Sequence, residues 1–578
     1  MNFKKLIISI LTLSIFFIDI LFIQTACPPV TTTTTTTTTI NNNYIPISKE
    51  NIYTGNSPQI YLIDTSTNTN LTYSLDLGTS TKDVYFVFTN VELNDSSSTP
   101  IVSDALNQTD YPTNQLLRNS TNNTGLWRSG KPEIDKFNEN PFLYINKTQN
   151  QTQRNIISPS TPSYDTIGDT NYFIIDDSPT NKISATCRKA LSDGNKILNI
   201  WVADNCWYQG GTKAALVTQT MVDQMANKFL QAGPNNDIYD WITNIFGDEW
   251  GDHNYPTQLI QPNNEITIFL LDIDNNNSQG GVIGYFWAKD NFKKSDLDYS
   301  NERIMFYMDA VMLASKDGTT WELTDEWPAI IISTLAHEFQ HMIHFYQKYI
   351  LRTGSKNSDT WLNEMCSLVA EDFVSEKLSV AGPRGVIGTD GTAGSADNNK
   401  GRLPLFNSYN FLSLTDWFDN SNNYAVNYSY GAYIARNFGG VNLLRNIVQN
   451  KFTDYQAITE GLSLTGFFNE DFTSSLRKWG VSEILSDLTN NIPDGYKYNN
   501  NGWFSSTVNS INYNLGSINL YNYNSPLQIF TTTNVGSEVL SYLPKSSNRL
   551  YKVGTGLTGK INRTIHMEKN TRLTVVVR

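Results

Sequence analysis

The stretch from Ile330 to Phe345 is rich in apolar residues, and it holds three of the chain's 5 histidines. Its spacing predicts a helix, and Pro328 stands near the start, where a helix tolerates proline. His337 and His341 are four residues apart, so they would lie one turn above each other on the same helix face. The chain must therefore fold around a helix whose two imidazoles can reach a single metal ion.

These histidines belong to the pattern His-Glu-x-x-His, in which Glu338 is the acidic residue. Zinc binds neutral imidazole and, in catalytic sites, keeps one position open for water. Glu338 lies about 100° around the helix from His337, so it can reach that water without binding the metal. A base beside a polarised water is what peptide hydrolysis requires. We predict His337 and His341 as ligands, Glu338 as the catalytic base, and His344 as a residue that packs or orients nearby.

A third ligand is predicted on a second helical pattern, which begins at Asp359 or Thr360. Glu364 lies beside the apolar stripe of this helix, where a carboxylate is unfavourable unless it is paired or bound to a metal. Glu371 shares the same face two turns later, and it either orients a ligand or takes the place of Glu364. Alternatively, Glu364 is exposed in the first turn of the helix, where the helix dipole favours a negative charge.

The segments HEFQHMIHF and WLNEMCSLVAEDF resemble the hyicolysin family of bacterial neutral zinc metallopeptidases, in the gluzincin branch, and the similarity covers roughly residues 183–371. The resemblance implies a zincin-like fold, one zinc ion, proteins or peptides as substrates, the base Glu338, and the ligands His337, His341 and Glu364. His344 stands where the family often has Asn, and Met365-Cys366 stand where Gly-Leu is usual. The second departure leaves the packing beside the third ligand open.

The group that stabilises the transition state is not part of any recognisable motif. Zinc peptidases of this type often use a His or Tyr from a later segment to bind the developing oxyanion. The candidates are Tyr428, Tyr430 and Tyr433 in NYSYGAYIARNF, with His253 as an alternative. Each of them is otherwise an ordinary core or surface aromatic residue.

Composition and spacing divide the chain into several regions. Short β-prone runs alternate with clusters of Asn, Ser, Thr and Pro over residues 46–180 and again over 486–578, whereas strands alternate with helices over 181–485. We therefore predict a multidomain protein with an α+β, zincin-like catalytic domain at 181–485. An N-terminal β-domain at 46–180 and a small C-terminal β-module at 486–578 would flank it.

The N-terminus has the features of a secretion signal, because Lys4 and Lys5 precede an apolar run that ends just before Cys27. We predict a signal peptide at 1–26 and lipidation of Cys27, with simple release as the alternative. The Thr- and Asn-rich residues 27–45 would then be a tether, or else a repeat expansion without function. The protein is expected outside the cytoplasm, secreted or as a surface lipoprotein that meets a membrane only through its lipid anchor.

The chain carries 42 Lys and Arg against 55 Asp and Glu, a formal net charge of -13. Such a surface repels nucleic acid, so nucleic acid is excluded as the expected partner.

Two further features of the sequence are ambiguous. Cys187 and Cys206 flank a predicted hairpin, and in an oxidising compartment they would form a disulfide or remain as buried thiols. Asp272, Asp274 and Asn276 offer oxygen atoms for a calcium ion, although their spacing is not that of an EF-hand.

Two classes of function fit these features. The first is a metal-dependent peptidase, and the second is a surface adhesin or binding lipoprotein that keeps the fold without the activity. The intact motif favours the peptidase, because a binding module has no use for Glu338. A structural zinc site is disfavoured, because such sites usually have four protein ligands, often thiolates.

Overall fold

The computed structural model describes residues 45–93, 99–103, 127–145, 164–194, 196–389, 399–531 and 539–578. The predicted signal peptide, Cys27 and the tether up to Tyr44 lie outside the described residues. The described residues belong to one unit that runs from Ile45 to Arg578. Within them, no helix is both long and apolar enough to cross a membrane.

The described residues form a mixed α/β structure. Its strands, in chain order, are β1 (Ile45–Ile52), β2 (Gln59–Ile63), β3 (Thr69–Asp76), β4 (Lys82–Asn90), β5 (Thr99–Ser103), β6 (Trp127–Ser129), β7 (Thr170–Ile174), β8 (Lys182–Asp193), β9 (Lys196–Ala203), β10 (Glu265–Leu271), β11 (Gly281–Tyr285), β12 (Met305–Asp309), β13 (Trp503–Val508), β14 (Ile511–Gly516), β15 (Phe530–Thr531), β16 (Val539–Leu543), β17 (Ser547–Leu557), β18 (Lys560–Met567) and β19 (Thr571–Val577).

Its α-helices are α1 (Pro132–Glu139), α2 (Gln219–Phe229), α3 (Ile238–Phe246), α4 (Ala310–Leu313), α5 (Glu326–His344), α6 (Thr360–Leu378), α7 (Leu403–Tyr409), α8 (Ser421–Asn437), α9 (Val441–Val448), α10 (Tyr455–Leu464) and α11 (Phe472–Ile484).

A seven-stranded central sheet has the order β6-β11-β12-β10-β9-β8-β7. Strands β9, β10 and β12 run parallel, and β11 pairs antiparallel with β12. The parallel strands are apolar and buried almost throughout, as in the sequence EITIFLL of β10, because both faces of a parallel sheet are normally covered. Strand β6 pairs with β11 and forms one edge of this sheet.

Helix α5 is the predicted histidine helix, and its residues from Ile331 to His344 are all buried. The helix therefore lies inside the protein, where α5 contacts β11 and β12 of the central sheet as well as α6. It continues as a π-helix from Phe345 to Thr353, which ends at Gly354 with a φ of 65°. Glycine adopts this left-handed conformation without strain.

Strands from both ends of the chain share two five-stranded sheets, with the orders β1-β3-β18-β5-β16 and β15-β17-β4-β19-β2. The C-terminal β18 pairs with β3, and β19 lies between β4 and β2. The regions 46–180 and 486–578, which we expected as separate β-units, therefore complete each other's ladders. Without the other region, each of the two would leave strand edges with unpaired backbone groups. Strands β6 and β7, also from 46–180, instead join the central sheet. The domain boundaries themselves stay a prediction.

The disulfide considered between Cys187 and Cys206 is not formed, since both are buried free thiols. Cys187 pairs across the ladder with Trp201, whereas Cys206 lies past the end of β9 in a short 3-10 helix. The hairpin thus does not set the two side chains opposite each other, as a disulfide needs. Burial raises the pKa of each of these thiols, and of the buried Cys366, to about 12.

The calcium site considered at Asp272, Asp274 and Asn276 is not supported. Lys213 Nζ lies 2.7 Å from Asp272 Oδ2, and Lys131 Nζ lies 3.3 Å from Asp274 Oδ1. The backbone N–H of Asn276 also donates to Asp272. The carboxylates that would bind calcium are therefore already neutralised by lysine side chains.

Thiol alkylation tests the cysteine assignment. In a Cys27→Ser variant unfolded without reductant, we expect iodoacetamide to modify the three cysteines described as free. In the folded protein all three should react far more slowly, because burial and a pKa of about 12 suppress the reactive thiolate. Mass spectrometry counts the adducts, and a single adduct in the unfolded sample would show that a disulfide exists.

Candidate metal centre

Three side chains from two helices converge on one point inside the protein. His337 and His341 come from α5, and Glu364 comes from α6. One potential ligand atom of each lies within 4.8 Å of the others. His337 Nε2 is 3.1 Å from Glu364 Oε2, and His341 Nε2 is 3.4 Å from Glu364 Oε1. Both rings therefore turn the same nitrogen toward one carboxylate, as ligands of a single ion would.

The opposite nitrogen of each ring is held by a second partner. His337 Nδ1 is 2.8 Å from Glu371 Oε1, and His341 Nδ1 is 3.1 Å from Asn363 Oδ1. Metal-binding histidines generally donate this second N–H to a carboxylate or carbonyl group, which sets the tautomer and the ring orientation. Glu371 thus lies behind His337, while Glu364 faces both histidines. This placement favours Glu364 over Glu371 as the third ligand.

Glu338 is completely buried beside the three clustered side chains. Strand β11 passes close to it, because a Cβ atom added to Gly284 would lie 3.1 Å from Glu338 Cγ. The hydroxyl of Ser129 donates a hydrogen bond to Glu338 Oε1. The other oxygen, Oε2, is buried and has no hydrogen-bond partner among the described residues. Burial raises the pKa of this carboxyl group.

The charges of the three clustered side chains favour a cation between them. Burial opposes a charge on His337, but the hydrogen bonds and charges of Glu364 and Glu371 outweigh it and raise the pKa of His337 to about 10. Burial also opposes a charge on Glu364, yet the charges and hydrogen bonds of His341 and His337 lower its pKa. Without a metal, a proton on His337 therefore balances the buried carboxylates.

The surplus of buried acceptors also fits a metal ion. Asp135 of α1 lines the same cavity as Glu338 and Glu364, and its Oδ2 is buried without a hydrogen-bond partner among the described residues. Burial, followed by the charges of Glu364, Asp419 and Glu338, raises the pKa of Asp135 well above its usual value. Two imidazoles and a carboxylate beside a free base are the donor set of a catalytic zinc site. The residues present therefore fit a zinc ion.

The three tyrosines proposed as transition-state stabilisers lie on α8, but their hydroxyl groups bond elsewhere. Tyr428 donates to Asp372, Tyr430 bonds with Ser475, and Tyr433 donates to the Gly495 carbonyl. None of the three is among the described residues that line the cavity. The structure thus does not bring them to the clustered histidines.

The remaining histidine candidates also lie away from the point of convergence. His344 Nε2 is 2.8 Å from Ser358 Oγ, and burial lowers its pKa well below the usual value, so it is neutral. Gln340 contacts both His344 and Ser367, and Ser367 in turn contacts His341, so His344 is connected to a predicted ligand only indirectly. His253 Nε2 contacts the carbonyl of Ile260, 2.9 Å away.

Three residues near the centre were not found from the sequence: Ser129, Asp135 and Tyr424. The first two come from the region that we expected to be an N-terminal β-domain, and no local pattern marks them. Tyr424 is buried on α8, its hydroxyl donates to the Ser129 carbonyl, and the charge of Glu364 contributes to raising its pKa, after burial. It lies one helical turn before Tyr428, so extending the tyrosine series backward by four residues would have found it.

Comparison with known proteins gives two matches. A family model described as Peptidase M30 matches residues 177–512. The "Neutral metalloprotease ShpI" of Staphylococcus hyicus is 23% identical over 339 residues, which are 58% of this chain and 67% of that protein. The residues gathered at the centre from α5, α6, β11 and α8 lie inside the matched range, whereas Ser129 and Asp135 precede it.

Zinc uptake by metal-free protein should release a proton from His337. Its pKa of about 10 keeps this imidazole protonated at pH 8, and zinc binds only the neutral form. We expect about one proton from this residue per zinc, whereas an imidazole with an ordinary pKa would release less than about 0.1. Apparent zinc affinity should rise roughly tenfold per pH unit up to about pH 10.

Titration calorimetry in buffers of different ionisation enthalpy measures the proton count. The matched variant is Glu371→Gln, which removes one cause of the raised pKa and should release fewer protons. It should also bind zinc roughly 10–100-fold more weakly, since it loses a partner that orients a ligand. Equal proton release by both proteins would contradict the electrostatic account of the site.

Proposed function

The chain belongs to the peptidase M30 family, and on that premise we propose that it is a zinc endopeptidase that hydrolyses peptide bonds in proteins, with His337, His341 and Glu364 as the zinc ligands. The observation that carries the proposal is the convergence of both Nε2 atoms on Glu364 beside a buried, half-satisfied Glu338. The family match supports the metallopeptidase class, and the geometry supports these roles.

Each residue at the centre has a definite task in this proposal. A zinc ion held there would act as a Lewis acid that polarises the substrate carbonyl and makes a water molecule more acidic. Glu338 takes the proton from the attacking water and delivers it to the amine of the leaving chain. The raised pKa of Glu338 suits it to hold that proton between the two steps. Glu371 and Asn363 keep the histidine rings in position.

Tyr424 is the donor that we propose for the developing oxyanion. Its hydroxyl group already donates to a backbone carbonyl, that of Ser129, whose side chain contacts Glu338. Tyr424 and Glu338 can therefore both reach a single residue of a peptide placed between them. A preorganised donor aimed at such a carbonyl stabilises the charge that develops there.

We also propose that the protein acts outside the cytoplasm. The support is the signal-like N-terminal sequence, with the lipid-anchor candidate Cys27 just after it. Its substrates would then be extracytoplasmic proteins or peptides.

Replacing the base tests the catalytic assignment. Glu338→Gln should retain about one zinc per chain but digest casein at least roughly 100-fold more slowly, because proton transfer is lost and the ligands remain. The matched control is Glu322→Gln, an exposed glutamate that should leave the rate unchanged. Undiminished digestion by Glu338→Gln, or activity that survives complete removal of zinc by a chelator, would refute the mechanism.

Tyr424→Phe tests the oxyanion donor. We expect kcat to fall by roughly 100-fold or more with little change in KM, since the hydroxyl acts mainly in the transition state. Tyr428→Phe is the control on the same helix, because its hydroxyl bonds to Asp372 instead. It should alter thermal stability more than kcat, and steady-state kinetics on a quenched fluorescent peptide measure both variants. A normal kcat for Tyr424→Phe would remove this residue from the mechanism.

A further inference from the structure

The edge of the central sheet beside Glu338 is occupied by the chain itself. Strand β6 pairs in parallel with β11, and Ser129 lies opposite Gly284 in this ladder. Gly284 is the residue of β11 that packs against Glu338. An extended peptide that adds to this edge as a strand would place one of its residues where Ser129 now lies.

Ser129 engages both groups to which catalysis is assigned. Its hydroxyl donates to Glu338 Oε1, and its backbone carbonyl accepts from the Tyr424 hydroxyl. A substrate residue at the point of cleavage would need these same two groups. Ser129 therefore holds the position of the residue that is to be cut.

The space that remains beside the ligands is too small for a peptide. The cavity lined by His341, Glu364 and Glu338 has a volume of about 20 Å³, which is room for about one water molecule. Residues 127–145 form one side of this cavity through Gly130, and Asp135 of the same segment also faces it. This segment therefore restricts the room for a substrate beside the ligands.

Besides the contacts of its middle part, side chains near both ends hold the segment in place. Arg128 forms an ion pair with Asp419. Near the other end, the ring of Phe142 packs against those of Phe292 and Tyr349, with centroids 5.2 and 5.8 Å away. These contacts hold the segment in place without involving the zinc ligands or Glu338.

We infer that residues 127–145 are a built-in inhibitory segment, which occupies the peptide-binding edge of β11 with Ser129 in place of the residue to be cleaved. This inference rests on the proposed function. The segment precedes residues 177–512, the range that matches the family, although the groups it blocks lie inside that range. Enzyme molecules with the segment displaced would be the active ones.

The competing interpretation is a permanent wall of the active site, in which Ser129 positions Glu338 for catalysis. The two interpretations predict opposite effects of one substitution. In Ser129→Ala the hydroxyl that occupies the base is lost, so an inhibitory role predicts a severalfold higher kcat/KM. A positioning role predicts a lower value.

A second variant is designed to weaken the attachment of the segment while Ser129 itself is left unchanged. In the double variant Arg128→Ala, Phe142→Ala, we expect kcat/KM for a short fluorogenic peptide to rise at least tenfold. A zinc-chelating peptide hydroxamate should bind more tightly by a similar factor, because segment and probe compete for one cleft. Arg128→Lys keeps the charge pair, and Lys136→Ala changes an exposed residue of α1, so both should behave as the wild type.

The combined readouts separate the inference from the proposed function. If both the Ser129 and the double variants show unchanged or lower kcat/KM, with unchanged hydroxamate affinity and full zinc content, the inhibitory segment is refuted. If the double variant retains its zinc and binds the hydroxamate more tightly than the wild type but cuts no peptide, the inhibitory role of the segment is supported. The proposed catalytic function would then be refuted. Thermal unfolding of each variant identifies any loss caused by misfolding.

Discussion

The imidazole of His337 lies between two carboxylates, with Glu364 at one nitrogen and Glu371 at the other. Both carboxylates belong to α6, while the histidine belongs to α5, so this one side chain ties the two central helices together. Buried charges of this kind are tolerated only when each has a partner. The packing of α5 against α6 and the geometry of the metal centre therefore depend on the same side chain. A shift that separated the helices would weaken the pairing of both buried carboxylates.

The same constraint explains why the surroundings of the centre are so polar. Ser333 donates to Glu371, and Ser367 contacts His341 and Gln340 from α6. These small hydroxyl groups satisfy lone pairs that would otherwise be buried without partners. The oxygens of Glu338 and Asp135 that face the cavity are left for a cation, a water molecule or a substrate to satisfy. Two of the unsatisfied buried acceptors among the described residues thus lie where chemistry is proposed to occur.

The covered edge of the central sheet links stability to activity. An open strand edge exposes unpaired backbone groups and invites other strands to pair with it. In this chain β6 covers β11, the edge nearest to Glu338. The chain on either side of residues 127–145 is anchored independently, because β1 to β5 pair with each other or with C-terminal strands, and β7 pairs with β8. Displacement of the segment would therefore remove β6 from the central sheet but leave the pairing of these flanking strands intact.

The sequence by itself determined the local chemistry of this protein. Four-residue spacing places His337 and His341 on one helix face, and the apolar stripe beside Glu364 marks a carboxylate that needs a partner. Both signals can be seen in the sequence because they depend only on helical periodicity.

Tertiary structure alone decided which β-strands pair, since the partners of β3 and β4 lie near the other end of the chain and no local pattern encodes such pairing. It also decided that Cys187 and Cys206 stay apart, that lysines neutralise Asp272 and Asp274, and that Tyr424 rather than Tyr428 faces Ser129. Each of these depends on which remote side chain comes within hydrogen-bonding distance, and that is settled only when the helices and sheets pack together.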